Sequence, residues 1–171
     1  MTTPPAAGAE RPGTYILFTV AGTTYAVPSG DVRHMEMVED VTRVPNAPSF
    51  VDGVVFSRGQ VVPVVNLRAR FGFDRAPHDL RTRLIVVQST TRLVGLVADA
   101  AREFVSIPAG AIQPPHEALA GMSGRYVDGV ASIGDRLVLL LNLPRILNFA
   151  DTFDPNLERA TLSAGGPSRP A

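Results

Sequence analysis

Short apolar runs rich in β-branched residues recur along the chain, each bounded by glycine, proline, serine or asparagine. "YILFTV" (15–20), "TYAV" (24–27), "VRHMEMV" (32–38), "VDGVVFS" (51–57) and "QVVPVVNL" (60–67) form a first series. "RLIVVQS" (83–89), "RLVGLVA" (92–98), "EFVSIP" (103–108), "YVDGVASI" (126–133) and "RLVLLLNL" (136–143) form a second. Runs of this length between turn signals predict β-strands at the spacing of small barrels. After the last run of each series, "LRARFG" and "LPRILNF" predict short closing helices.

The two series are one pattern written twice. A shift of 127 − 51 = 76 positions carries Val51, Asp52, Gly53, Val54, Val62, Asn66 and Leu67 onto Val127, Asp128, Gly129, Val130, Val138, Asn142 and Leu143 without a gap. A shift of 69 lays "YAVPSGDVRHM" on "VGLVADAAREF", where Arg33 and Arg102 coincide. These boundaries predict a first barrel over about 14–75 and a second over about 80–150. A barrel of about 65 residues is marginal alone, so the halves are expected to pack face to face around a shared apolar seam. Val54, Val62, Val64, Leu93, Val130, Leu139 and Leu141 are the candidates to fill cores and seam. Residues 1–13, rich in Pro, Ala, Gly and Thr, and the tail 151–171 lack apolar period and read as disordered ends.

Composition narrows the chemistry. Of 171 residues 45% are apolar and 19% charged, an ordinary soluble balance. Sixteen basic residues, all arginine, offset sixteen acidic ones, so no net field favours nucleic acid or an anionic membrane. The absence of cysteine removes disulfides, thiol nucleophiles and thiolate metal sites. The N-terminus has no signal-peptide pattern and no run is long enough for a membrane helix, which predicts a cytoplasmic protein without membrane insertion.

Candidate catalytic groups do not assemble. His34, His78 and His116 lack metal-ligand spacing. No Gly-x-Ser-x-Gly elbow occurs, and without lysine there is no phosphate loop. Asp99, Asp128 and Asp135 could suggest paired carboxylates, but Asp128 mirrors Asp52 and reads as a turn cap. The expectation is no catalytic residue, no cofactor and no metal.

Arg58 and Gly59 stand apart, at the tip of a hairpin between two apolar strands. Glycine there permits the positive φ of a tight turn. Arg58 is either a solvated turn arginine or an arginine held by a rigid scaffold against a partner. Pro63 cannot donate to a ladder and is expected on an edge strand or bulge.

At these residues the chain resembles the CheW family of chemotaxis adaptors. "DVTRVPNAPSFVDGVVFSRGQVVPVVNLRARFG" (40–72) is similar to the family's "T-R-[IVL]-P-N-x-P" followed by its Asn-Leu-Arg-Gly hairpin and "[VI]-P-[VI]-[VI]-D-L-R", and the likeness runs over roughly 15–149. It implies a mainly β fold of two SH3-like five-stranded β-barrel subdomains related by a pseudo-two-fold, with short helices. It also implies a non-enzymatic adaptor that joins a chemoreceptor's cytoplasmic tip to the regulatory domain of a CheA-type histidine kinase, at membrane-associated receptor arrays. By the same resemblance Val32, His34, Met35, Arg58 and Gly59 are partner-binding positions. The chain departs from the family's words at Ser57 beside the Arg-Gly pair, at Asn66 where aspartate is usual, and at His34 where glutamate is frequent. Histidine cannot supply the negative charge that orients Arg58, which is then freer or committed to another acid. Two further readings stand beside the chemosensory adaptor: an adaptor of another circuit in motility, development or gene regulation, and a small-ligand sensor or enzyme using the groove between the halves.

Overall fold

The computed structural model describes residues 13–89, 92–115 and 123–148. Most of the expected leader, the tail and His116 lie outside them, and Gly13 already belongs to the first strand. Among the described residues eleven strands follow in chain order. They are β1 (Gly13–Val20), β2 (Thr23–Pro28), β3 (Val32–Glu36), β4 (Val51–Ser57), β5 (Gln60–Asn66), β6 (Arg83–Ser89), β7 (Arg92–Ala98), β8 (Ala100–Ile107), β9 (Ile112–Gln113), β10 (Val127–Ile133) and β11 (Arg136–Leu141). Single-turn helices α1 (Leu67–Arg70) and α2 (Leu143–Ile146) follow β5 and β11. Every expected strand and both closing helices are present; the two-residue β9 carries too little pattern to be seen in sequence.

The strands form a first sheet in the order β3-β6-β7-β5-β4 and a second in the order β8-β1-β2-β11-β10-β9. This corrects the expected division at about residues 75–80. The first sheet takes β6 and β7 from the second series, and the second takes β1 and β2 from the first. The exchange runs through two parallel pairings, β5 with β7 and β11 with β2. β6 is buried on both faces: Ile85 and Val87 face one core while Leu84 and Val86 face another. Such strands belong inside a sheet rather than at its edge. The second sheet also has six strands instead of five.

The repeat survives this exchange. The two orders correspond strand for strand, and an isolated bridge between Thr42 and Val54 occupies the place that β9 holds beside Val130, 76 positions on. Bulges recur as well. β4 and β5 slip register between Val51 and Gly53, and β10 and β11 between Val127 and Gly129. Arg33 is skipped in the β3–β6 ladder, and Arg102 in the β1–β8 ladder. These are the two arginines that coincide in the shifted alignment.

Among the described residues three apolar clusters make the core. One fills the interior of the first sheet (Val55, Val62, Val64, Leu84, Val86, Val97) and one that of the second (Leu17, Ala26, Ile107, Ala131, Val138, Leu140). The largest lies between them and draws Phe18, Tyr25, Val65, Ile85, Leu96, Leu139 and Leu141 from both sheets and Ile146 from α2. Val62, Val64, Leu139 and Leu141 are buried as expected; Leu93 and Val130 pack on the cluster margins, and Val54 is only half-buried.

Pro63 is not at an edge. β5 lies between β4 and β7, yet the missing N–H has no acceptor to serve. Val54, opposite Pro63, turns its own N–H and C=O to Thr42, both at 2.8 Å. The pair with Pro63 is therefore a non-hydrogen-bonded one, and the parallel ladder to β7 begins only at Val64.

Asn66 and Asn142 close the two hairpins alike. Each side-chain oxygen accepts the N–H three residues on, from Ala69 and Arg145, and caps a helix. Each amide nitrogen donates to an aspartate on the bulged strand, Asp52 at 2.9 Å and Asp128 at 3.0 Å. Asp52 and Asp128 thus sit in strands and brace the caps, which corrects their reading as turn caps. An amide suits this place better than a carboxylate, which would face Asp52 with no proton to donate.

Candidate functional site

The β4–β5 hairpin ends in a two-residue turn with φ of 48° at Arg58 and 85° at Gly59. Both values are positive, the conformation that matches strand twist and usually selects Asn-Gly or Gly-Gly. An arginine at the first position pays a local backbone cost of about 1 kcal/mol. The equivalent position of the β10–β11 turn, 76 residues on, holds Gly134 at φ 61°.

β3 lies at the opposite edge of this sheet, and its bulge decides which side chains meet Arg58. Because Arg33 is skipped in the ladder with β6, alternation restarts after it: Val32 and Met35 both turn to the seam between the sheets. His34 and Glu36 turn instead to the end of the first sheet's interior. The five expected partner-binding positions are therefore divided. His34, Arg58 and Gly59 gather at the mouth of the first sheet, and Val32 and Met35 pack behind β3, half-buried.

At the mouth the His34 Nε2 lies 2.9 Å from a Glu36 carboxylate oxygen and 3.2 Å from the Ser57 hydroxyl oxygen. The buried Ser57 hydroxyl donates to that same carboxylate oxygen. Serine and glutamate thus share one imidazole nitrogen, and the serine proton points at glutamate, so the three do not form a nucleophile relay. Burial alone would raise the Glu36 carboxyl. The hydrogen bonds from Ser57 and His34, with the charges of His34 and Arg58, outweigh it and hold the group below its ordinary range.

Glu36 is the other acid that Arg58 feels. Sequence reasoning missed it, although its spacing of two from His34 already put both on one strand face. Ser57 has its explanation here too, as the small hydroxyl that bridges to Glu36.

Arg33, Arg58, Arg92, Gln60 and Gln88 complete the lining of a cavity of about 390 Å³ over Leu93. The Arg33 Nε donates to the Gln88 side-chain oxygen at 3.2 Å. On the far face of the hairpin, Phe56 and Val61 form a cross-strand pair and are 75% and 65% exposed.

A second polar assembly ties α1 to the β1–β2 turn. Arg68 donates to both Asp99 oxygens, at 2.7 to 3.2 Å, and the Ala21 N–H donates to Asp99 at 2.8 Å. Burial pushes the Asp99 carboxyl up, but these bonds and the Arg68 charge prevail and hold it below its ordinary value. A carboxyl with a lower pKa folded than unfolded stabilises the fold above its unfolded pKa, about 4, and loses that contribution as pH falls through the folded value. Urea unfolding between pH 5 and pH 2 should therefore show a steeper loss in the wild type than in Asp99→Asn. Equal slopes would mean that the pair does not couple to folding.

No metal-ligating cluster occurs among the described residues, and none of their helices is long and apolar enough to cross a membrane. His78 is exposed in its loop.

Two exchanged sheets, a doubled hairpin and an arginine turn at one mouth define a β module whose distinctive groups lie on its surface. The sequence matches the CheW-like domain family over residues 14–151, and the chain belongs to that family. It is 29% identical over 134 residues to the chemotaxis protein CheW of Klebsiella aerogenes, covering 78% of this chain and 81% of that one. It is 32% identical over 148 residues to Protein FrzA of Myxococcus xanthus, covering 85% and 91%. The crystal structure of the scaffolding protein TtCheW from Thermoanaerobacter tengcongensis superposes with a TM-score of 0.74 at 26% identity, covering 80% of this chain and 93% of that one.

Proposed function

We propose that the chain is a non-enzymatic adaptor that couples the cytoplasmic tip of a chemoreceptor to the regulatory domain of a CheA-type histidine kinase, and that it works in the cytoplasm at membrane-associated receptor arrays. Its family supports the role. The observation that carries the site is Arg58, an exposed arginine kept at a left-handed backbone position where the sister hairpin has glycine. Retention of a strained residue at a turn tip fits a side chain that contacts a partner. His34 and Gly59 belong to the same contact surface, with Val32 and Met35 setting the position of β3 behind it. The exposed Phe56–Val61 pair offers an apolar surface to a second partner on the other face of the hairpin.

Arg58→Asn tests this directly, because asparagine suits the turn better than arginine does. Its melting temperature should be unchanged or raised. Binding to a cognate receptor tip or CheA-like regulatory domain, read by calorimetry, should weaken about tenfold on loss of a charge-assisted contact. Unchanged affinity for both partners in the folded variant would return Arg58 to a solvated turn arginine.

A second reading keeps the adaptor and changes its circuit. One observation favours it: histidine stands where the family often has glutamate, with the acid displaced to Glu36. A receptor or kinase matched to that order of groups would differ from a conventional pair. Comparing both sets of partners against His34→Glu discriminates the two readings.

A further inference from the structure

Three arginines from three elements ring the mouth of the first sheet. Arg33 stands on the β3 bulge, Arg58 at the β4–β5 turn and Arg92 at the start of β7, around the cavity of about 390 Å³. None of the described lining residues is acidic. Glu36, beside His34, already accepts from Ser57. The formal charge of the whole chain is zero, so this concentration of cations is local.

Resting on the adaptor reading above, we propose that this mouth is a recognition site for carboxylates presented by an acidic segment of a protein partner. Planar guanidinium groups on separate elements can each take a carboxylate in a two-bond fork, and the Gln60 and Gln88 amides can satisfy what remains. The form of the site selects the occupant. Arg33, Arg58, Gln60 and Arg92 are all exposed, whereas small-molecule sites bury most of their ligand's surface. A ring of exposed donors around a shallow floor suits acidic side chains arriving on another surface. One carboxylate of this chain, Glu36, already lies beside the mouth, held by His34 and Ser57 and within the field of Arg58.

The probe is fluorescein-labelled tetraglutamate, with tetraglutamine as its uncharged control and inorganic pyrophosphate as a competing small anion. Fluorescence anisotropy on the full chain should show binding of tetraglutamate alone. Arg33→Gln and Arg92→Gln should each weaken it about five- to tenfold. Arg81→Gln, an exposed arginine elsewhere, should leave it unchanged. Circular dichroism confirms that each variant is folded. Absence of tetraglutamate binding, or equal losses in all three variants, overturns the proposal; pyrophosphate binding without peptide binding overturns it in favour of a small-anion site. The double variant Arg33→Gln/Arg92→Gln, assayed with the receptor tip and kinase domain, separates the two readings. Loss of peptide with partner affinity intact overturns acidic recognition as the partner mode and leaves the adaptor standing. Loss of both supports it.

Discussion

Arg70→Ala is expected to lower the stability of the fold by about 3 to 5 kcal/mol, because it removes a cation that joins the two sheets and takes the side-chain donor away from the buried Ile146 carbonyl. Arg70 follows the first hairpin, at the end of α1, and is 8% exposed. Its guanidinium lies 4.2 Å from the Phe50 ring centroid and 4.8 Å from that of Tyr126. These two aromatics correspond under the shift of 76, so the cation sits where the two halves meet. Nε donates to the Ile146 carbonyl at 3.0 Å, and Nη2 to those of Arg145 and Asn148 at 3.0 and 3.3 Å. An arginine from the first repeat thereby closes the C-terminal end of α2 in the second. Lysine cannot reach several carbonyls while lying flat on two rings, so Arg70→Lys should recover less than half of the loss. Chemical denaturation of the three proteins measures this. A loss below about 1 kcal/mol for Arg70→Ala would show that the aromatic seam holds without the cation.

Gly53→Ala is expected to cost about 3 kcal/mol or more, through a collision with main chain that nothing nearby can relieve. Gly53 has φ of 144°, and a Cβ on it would lie 2.0 Å from the Thr42 carbonyl oxygen and 2.7 Å from its carbon. The bulge at Asp52 brings this backbone against Thr42, whose bridge to Val54 would have to open. At Gly129, the counterpart, a Cβ meets the Ile112 Cγ2 methyl at 2.6 Å and the Gln113 carbonyl oxygen at 3.2 Å, so its nearest obstacle is a side chain rather than main chain and the cost should be smaller. Gly59 has open space around it, and there only the backbone angle opposes alanine, at about 1 kcal/mol. Thermal melts should give the order Gly53, Gly129, Gly59 from largest loss to smallest. A loss at Gly53 no greater than at Gly59 would mean that the strand pairing with Thr42 gives way freely.

The sequence by itself determined the strands, the doubling and the hairpin ends. Alternating apolar residues, Gly and Asn at fixed places and the coincidence of Arg33 with Arg102 are local signals, and each corresponds to a strand, turn, cap or bulge in the structure. The Arg58–Gly59 turn was legible for the same reason. Tertiary structure alone decided which strands share a sheet. An apolar run such as β6 or β7 suits either sheet equally well, because a period of two records which faces are buried and says nothing of the neighbour to which the backbone bonds. Only the packing of both repeats together settles the parallel pairings of β5 with β7 and β11 with β2. That packing also decided the mouth: skipping Arg33 turns Val32 away from His34, although the two are spaced to share a face, and brings Glu36, which no motif marked, into the field of Arg58. Arg70 was invisible for a related reason, since its partners lie some 75 residues away and meet it only after the halves exchange strands.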